Sequence, residues 1–331
     1  MNTRLQSMRS WLKRMGYQDY RFDPASADAS FRAYWRLVVR QESFIIMDAP
    51  PDKEPCADFI RIACKLRDAG LNAPEIIDCD LAQGFLLLTD FGDQDYLSAL
   101  DQDNLPRLYG DALDALHVMQ ARIGSDDLPD YDEALLRREM ALFHDWFLQR
   151  LLQIELTPTQ QAGWKKINKI LVDNALMQPQ VFVHRDYHSR NLMRLDSHNP
   201  GILDFQDAVR GPLTYDLVSL LRDCYIAWPQ AQIEGMALDF YRQARESARV
   251  SVDADQFMCW FDRMGVQRHL KAIGIFARLK IRDGKDRYLK DIPRIFAYLH
   301  EVCGRDSSLL PLLQLIEALD LVGRIEGLNN R

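Results

Sequence analysis

His184-Arg185-Asp186-Tyr187-His188-Ser189-Arg190-Asn191 is the stretch on which the reading of this chain turns. A short apolar run, 181–183, leads into it, and a second, 192–195, leaves it. A polar turn at 197–201 follows, and Ile202-Leu203-Asp204-Phe205 closes the segment. Read as strands, these runs put Asp186, Asn191 and Asp204 at the ends of three adjacent short strands, close to one another. Phosphoryl transfer asks for this set of side chains, because its transition state is stabilised mainly by positioning and charge. Asp186 suits the base that takes or orients a hydroxyl proton. Asn191 and Asp204 are hard oxygen donors suited to a Mg²⁺ ion against nucleotide phosphates. Arg185 reads as a structural cation and His184 as a buried hydrogen-bonding group.

Outward from this segment the chain changes character. Residues 5–15 carry Leu5, Met8, Trp11, Leu12 and Met15 at helical spacing and stop at Gly16. Residues 31–39 alternate, a polar turn occupies 40–43, and 44–47 forms a second short strand, so a hairpin is expected. Pro50-Pro51 breaks the sheet, and 57–69 reads as a helix ended by Gly70. The apolar strand 85–88 runs into Thr89, Asp90, Phe91 and Gly92, read as a hinge whose backbone bonds the edge of a nucleotide base. Beyond it the pattern is helical, with the strongest stripe over 135–151 and helices again from 215 onward. The expectation is a two-lobed α+β fold. A small β-rich lobe, 1–92, holds the N-terminal helix and the nucleotide. A larger helical lobe, 93–331, holds the catalytic loop, the metal site and the acceptor pocket.

Composition narrows the function classes. The 331 residues are 47% apolar and 27% charged, as in an ordinary soluble domain. A net charge of −7 argues against nucleic acid as partner. Residues 1–17 hold no unbroken apolar run, and no apolar stretch is long enough to span a bilayer, so a cytoplasmic protein without membrane contact is expected. The six cysteines show no C-x-x-C pair and read as buried free thiols of a reducing compartment.

Residues 184–191 match the H-R-D-x-x-x-x-N catalytic loop of the protein-kinase-like superfamily, and Asp204-Phe205-Gln206 matches D-F-G except at its last position. Asp90-Phe91-Gly92 is a literal D-F-G, but it precedes the loop and therefore stays a hinge. No A-P-E segment occurs, and Gly211-Pro212-Leu213-Thr214-Tyr215-Asp216 leads directly into a helix. In this the chain resembles the aminoglycoside phosphotransferase and choline kinase branch, which implies a structural role for Asp216. The blocks 28–36, 47–51, 86–92, 183–191, 202–208, 211–216 and 274–279 are similar to those of bacterial anomeric kinases of N-acetylmuramate and N-acetylglucosamine. That resemblance implies ATP and Mg²⁺ as cofactors, an amino sugar phosphorylated at its C1 hydroxyl, and a place in cell-wall sugar recycling.

Two departures stand out. The phosphate loop, 26–30, has no glycine, leaving its backbone amides and Ser30 to touch phosphate. Met47 stands where the V-A-I-K lysine belongs, and Arg32, Arg36, Lys53 and Lys65 are the candidate replacements. For the acceptor, the candidates are Glu139 and Asp145 on the polar side of 135–151, Tyr225, and the cluster Arg268, His269, Arg278 and Arg282. An arginine there can grip a lactyl carboxylate through two parallel bonds. Two rival readings share the fold: an aminoglycoside or other alcohol phosphotransferase, and a non-catalytic nucleotide-binding pseudokinase. No motif encodes the oligomeric state or the choice between ATP and GTP.

Overall fold

The structure, a computed structural model, describes residues 3–27 and 32–329. The chain divides into two compact units, Met1–Ala115 with Arg190–Asp207, and Leu116–Ser189 with Ala208–Arg331. This partition differs from a cut at residue 92: the first unit runs on to Ala115 and takes in Arg190–Asp207.

The first unit is built on an antiparallel sheet of five strands in the order β1-β2-β3-β5-β4. The strands are β1 (Tyr20–Ala27), β2 (Ala33–Val39), β3 (Glu42–Asp48), β4 (Ile76–Asp80) and β5 (Phe85–Thr89). The expected hairpin is β2–β3, with Val39 opposite Glu42 and Trp35 opposite Ile46. It turns without glycine because Arg40 takes a left-handed φ of 55°. Edge strand β4 escaped the sequence reading; its Ile77 is 43% exposed, so no clean alternation marks it. Strand β5 is buried along Phe85–Leu88, which explains its unbroken apolar run. Helix Thr3–Arg14 lays Met8, Trp11 and Leu12 on Leu37, Ile46, Phe85 and Leu87, closing one face of the sheet. Helix Ala57–Asp68 buries Phe59, Ile62, Ala63 and Leu66.

The second unit is mostly helical. Its axis is Ala254–Asp283, a helix of 30 residues, capped by the Asp253 carboxylate at one end and by Gly284, φ 66°, at the other. Apolar side chains bury it on nearly every side, as befits a central helix. The stripe read over 135–151 is two elements, helix Glu133–Leu142 and a π-helical stretch, Phe143–Leu151. At this junction Gly274 of the central helix passes so close to Leu142 that a Cβ would sit 2.3 Å from its carbonyl carbon.

Four short strands frame the catalytic segment: β6 (Gln180–Val183), β7 (Leu192–Met193), β8 (Gly201–Ile202) and β9 (Val209–Pro212). They correct the expectation of three adjacent strands. β6 pairs with β9, which the sequence reading had not recognised, while β7 pairs with β8 in a separate ladder. A two-residue strand carries too little pattern to announce its partner. Among the described residues no helix is long and apolar enough to cross a membrane. The thiols are not uniformly buried: Cys64 and Cys79 are exposed.

Candidate active site

In the helical unit β6 delivers the chain to His184, Arg185 and Asp186. Arg185 adopts φ 77°, a strained turn that needs holding in place. The hold is Asp216, fully buried at the start of helix Tyr215–Leu221. Its carboxylate accepts the backbone N–H of His184 at 2.6 Å and of Arg185 at 3.0 Å. Burial pushes the Asp216 carboxyl up to about 7, against the pull of those two N–H groups. The His184 ring nitrogen Nδ1 in turn accepts the Asp186 N–H at 3.3 Å. Further on, buried Asp223 accepts the N–H groups of Ser189 at 2.9 Å and Tyr225 at 2.8 Å. Two buried carboxylates thus hold the beginning and the end of the loop.

Asp186 sits in a field of cations. Burial opposes its charge, but Lys271, His188, Arg268 and Arg185 outweigh it and lower the carboxyl to about 2. Those cations are themselves balanced. Glu139, buried on helix Glu133–Leu142, accepts Arg185 Nη2 at 2.6 Å, Lys271 Nζ at 3.3 Å and the Tyr131 hydroxyl. Lys271 also donates to the Tyr215 hydroxyl at 2.9 Å. Burial works against a charged Glu139, yet Lys271 and Arg185 keep its carboxyl below the usual range. Of the expected acceptor residues, then, Glu139 faces inward into this ion network. Asp145 lies on the exposed side with His144 Nδ1 at 2.8 Å. Tyr225 is half-buried, its ring 5.4 Å from that of His188. Arg268 is buried, and His269 Nε2 lies 3.0 Å from the Arg222 carbonyl. Arg282 forks onto Asp283, both bonds at 2.8 Å.

In the first unit β7 and β8 bring Asn191 and Asp204 together, with the amide nitrogen 3.4 Å from the carboxylate. The Leu203 N–H donates to the Asn191 carbonyl at 2.9 Å, and Gln206 Nε2 donates to Asp204 at 2.7 Å. Asp204 takes φ 61°, which an aspartate tolerates better than most residues. Phe205, buried, packs on Phe59 with ring centroids 4.9 Å apart. This donor set fits Mg²⁺, which needs one or two protein oxygens and takes the rest from phosphates and water. The amide oxygen of Asn191 is the other end of the group now facing Asp204, and a half-turn exchanges the two.

The hinge residues are tightly engaged. Thr89 donates its N–H to the Glu75 carbonyl at 3.1 Å, and its Oγ1 accepts the Glu75 N–H at 3.0 Å. Asp90 is gripped by Arg36 through Nε at 2.6 Å and Nη2 at 3.0 Å, and accepts the Gly92 N–H at 2.9 Å. Phe91 lies over Gly201, where a Cβ would come within 2.7 Å of its ring. Arg36 is thereby committed to the hinge, and Arg32 to Glu54 at 2.9 Å. Ser30 lies outside the described residues. Lys271 was missed by the sequence reading, and Asp223 was given no role. A lysine on a long helix and an acid after a short one carry no local motif.

The fold is that of the kinase-like phosphotransferases. It is similar to the ADP-bound crystal structure of aminoglycoside phosphotransferase APH(2'')-Ib, with a TM-score of 0.61 and 13% identity over 91% of this chain and 99% of that one. It is equally similar to choline kinase LicA from Streptococcus pneumoniae, TM-score 0.61 and 11% identity over 89% and 98%. The chain belongs to the APH phosphotransferase enzyme family, which its residues 21–250 match. It is 49% identical to the N-acetylmuramate/N-acetylglucosamine kinase of Pseudomonas putida over 91% of this chain and 88% of that protein. The enzyme of the same name from Neisseria meningitidis is 41% identical over 96% and 95%.

Proposed function

We propose that the chain is an ATP-dependent sugar kinase that transfers the γ-phosphoryl group to the C1 hydroxyl of N-acetylmuramate and N-acetylglucosamine. The observation that carries the kinase reading is Asp186, set in a loop braced by Asp216 and Asp223 and among Lys271, His188, Arg268 and Arg185, which lower its carboxyl. The sugar follows from the similarity to the two bacterial enzymes. Asp186 orients the attacking hydroxyl and receives its proton as the O–P bond forms. Asn191 and Asp204 would hold the Mg²⁺, whose charge, when bound, offsets that of the phosphates. In the hinge, the Phe91 N–H has no partner among the described residues and is the group to bond a base edge; Thr89 and Asp90 shape that turn. Ser30 is assigned to the phosphates on its position in the sequence. We assign the enzyme to the cytoplasm and to the salvage of peptidoglycan sugars.

The test is phosphate transfer from MgATP to N-acetylmuramate, N-acetylglucosamine, kanamycin and choline, with Asp186→Asn as control. An acid-labile, alkali-stable sugar phosphate that the control does not make is expected. Transfer to kanamycin or choline alone would overturn the sugar reading. Nucleotide binding without any transfer would favour a pseudokinase and make Met47 decisive.

A further inference from the structure

Arg278 stands apart from the paired arginines of the helical unit; Arg268, which is buried, donates to the Cys224 Sγ at 3.7 Å. Arg185, Arg222, Arg263 and Arg294 each donate to a carboxylate. Arg278 is half-buried and its Nε is shut off from solvent, yet among the described residues it makes no hydrogen bond and no ion pair. Burial, and Arg282 one turn away, act against its charge, and Asp283 acts for it. A buried Nε–H left without an acceptor is costly unless something else supplies one.

Its position says what. Arg278 follows Lys271 by seven residues on the helix Ala254–Asp283, so both lie on one face, two turns and about 10 Å apart. Lys271 is the cation that acts most strongly on Asp186. A run of rings starts two residues beyond Asp186. His188 and Tyr225 are 5.4 Å apart, Tyr225 and Phe276 6.0 Å, Phe276 and Tyr288 5.4 Å. Of these rings Phe276 is buried, and the half-buried Tyr225 is the one that can offer an apolar edge to the C–H face of a sugar. Arg278 thus lies on the Lys271 side of the helix, two turns beyond the cation that acts most strongly on the proposed base.

We propose that Arg278 reads the acceptor: it pairs in bidentate fashion with the carboxylate of an acidic amino sugar, the lactyl group of N-acetylmuramate, and has no such partner in N-acetylglucosamine. The inference rests on the sugar-kinase reading and adds to it the residue that separates the anionic substrate from the neutral one. Arg282, exposed and already forked onto Asp283, is excluded from that role.

The experiment compares kcat and KM for N-acetylmuramate, its methyl ester and N-acetylglucosamine, in the wild type and in Arg278→Met, Arg278→Lys and Arg282→Met. Arg278→Met should lose roughly tenfold to a hundredfold in kcat/KM on N-acetylmuramate, mainly through KM, as when a buried polar partner is lost. It should stay within about twofold of wild type on the ester and on N-acetylglucosamine, since neither offers the charge. Arg278→Lys should fall between, keeping the charge without the fork, and Arg282→Met should match wild type. Equal losses on all three sugars would reduce Arg278 to a structural residue and overturn the inference, as would no loss at all. A wild type that turns over neither sugar would overturn the sugar-kinase reading and this inference with it, a result distinct from both.

Discussion

At the residue scale, the chemistry depends on carboxylates in opposite electrostatic situations. Asp186 has a folded-state pKa of about 2, below the ordinary 3.8, because Lys271, His188, Arg268 and Arg185 together outweigh its burial. A depressed carboxyl contributes stability above its unfolded pKa and loses it as pH falls through the folded value. Asp186, the proposed base, is therefore ionised throughout the neutral range, and the kcat profile should show no acid limb from it between pH 4 and 8. A limb near pH 6 in single-turnover kinetics would contradict this. Asp186→Asn keeps the shape but cannot take a proton, and kcat should drop about 10²- to 10⁴-fold. Asp216 is the reverse case. Its pKa, raised to about 7 by burial, makes its contribution full below 3.8 and lost as pH rises through 7. Asp216→Ala strips two backbone N–H groups of their acceptor and should cost about 2–4 kcal/mol in urea unfolding. A change below 0.5 kcal/mol would show that the loop is held by other means. Asp216 was legible only through its block, Gly211 to Asp216; the two N–H groups it serves lie about thirty residues earlier, beyond any local pattern.

At the element scale, the central helix Ala254–Asp283 does work that no single motif describes. It carries Arg268 and Lys271 to the catalytic loop, where Glu139 of helix Glu133–Leu142 balances Lys271 and Arg185. Removing that carboxylate leaves two cations facing each other in a buried place. Glu139→Ala should destabilise by about 3–5 kcal/mol, read by calorimetry, and should cut kcat because Arg185 loses its anchor. Full activity with normal stability would mean that Glu139 is dispensable to the network. The two helices approach at Gly274 and Leu142, where backbone rather than a flexible side chain would meet a new methyl group. Gly274→Ala should therefore cost about 1–3 kcal/mol as an overpacking change, despite the better helix propensity of alanine. A stabilised variant in thermal melts would refute that. Elements of strong period were legible: helices Thr3–Arg14 and Ala57–Asp68 and the β2–β3 hairpin lie where the apolar spacing puts them. Strands β4 and β9 and the π-helical turn were not, since a short or irregular element has too few residues to show a period.

At the scale of the whole molecule, chain order and spatial order part company. The segment Arg190–Asp207 returns to the N-terminal unit. There Ile202 donates its N–H to the Asn72 carbonyl at 2.8 Å, Asn199 donates to Asp111 at 2.8 Å and to the Tyr96 hydroxyl at 2.6 Å, and Phe205 covers Phe59. A fragment of residues 1–115 lacks all of these. It should melt without a cooperative transition, whereas the full chain melts sharply; a sharp melt of the fragment would mean the returning segment is not needed for the fold. Excess EDTA should abolish phosphate transfer and added Mg²⁺ restore it. In equilibrium binding, Asp204→Ala should lose the Mg²⁺ dependence of triphosphate affinity.

The sequence by itself determined the family and the broad lobe character, and marked the loop and the oxygen donors proposed for catalysis and metal, because each is carried by residues close in the chain or by an apolar period. Only the tertiary structure decided which charges surround Asp186, that Glu139 faces inward, that Arg36 pairs with Asp90, and that Arg282 is bonded to Asp283 while Arg278 makes no hydrogen bond among the described residues. These are questions of which distant side chains meet once the backbone is packed. Ion pairs and buried hydrogen bonds are chosen by distance and desolvation in the folded molecule, and no spacing along the chain encodes either.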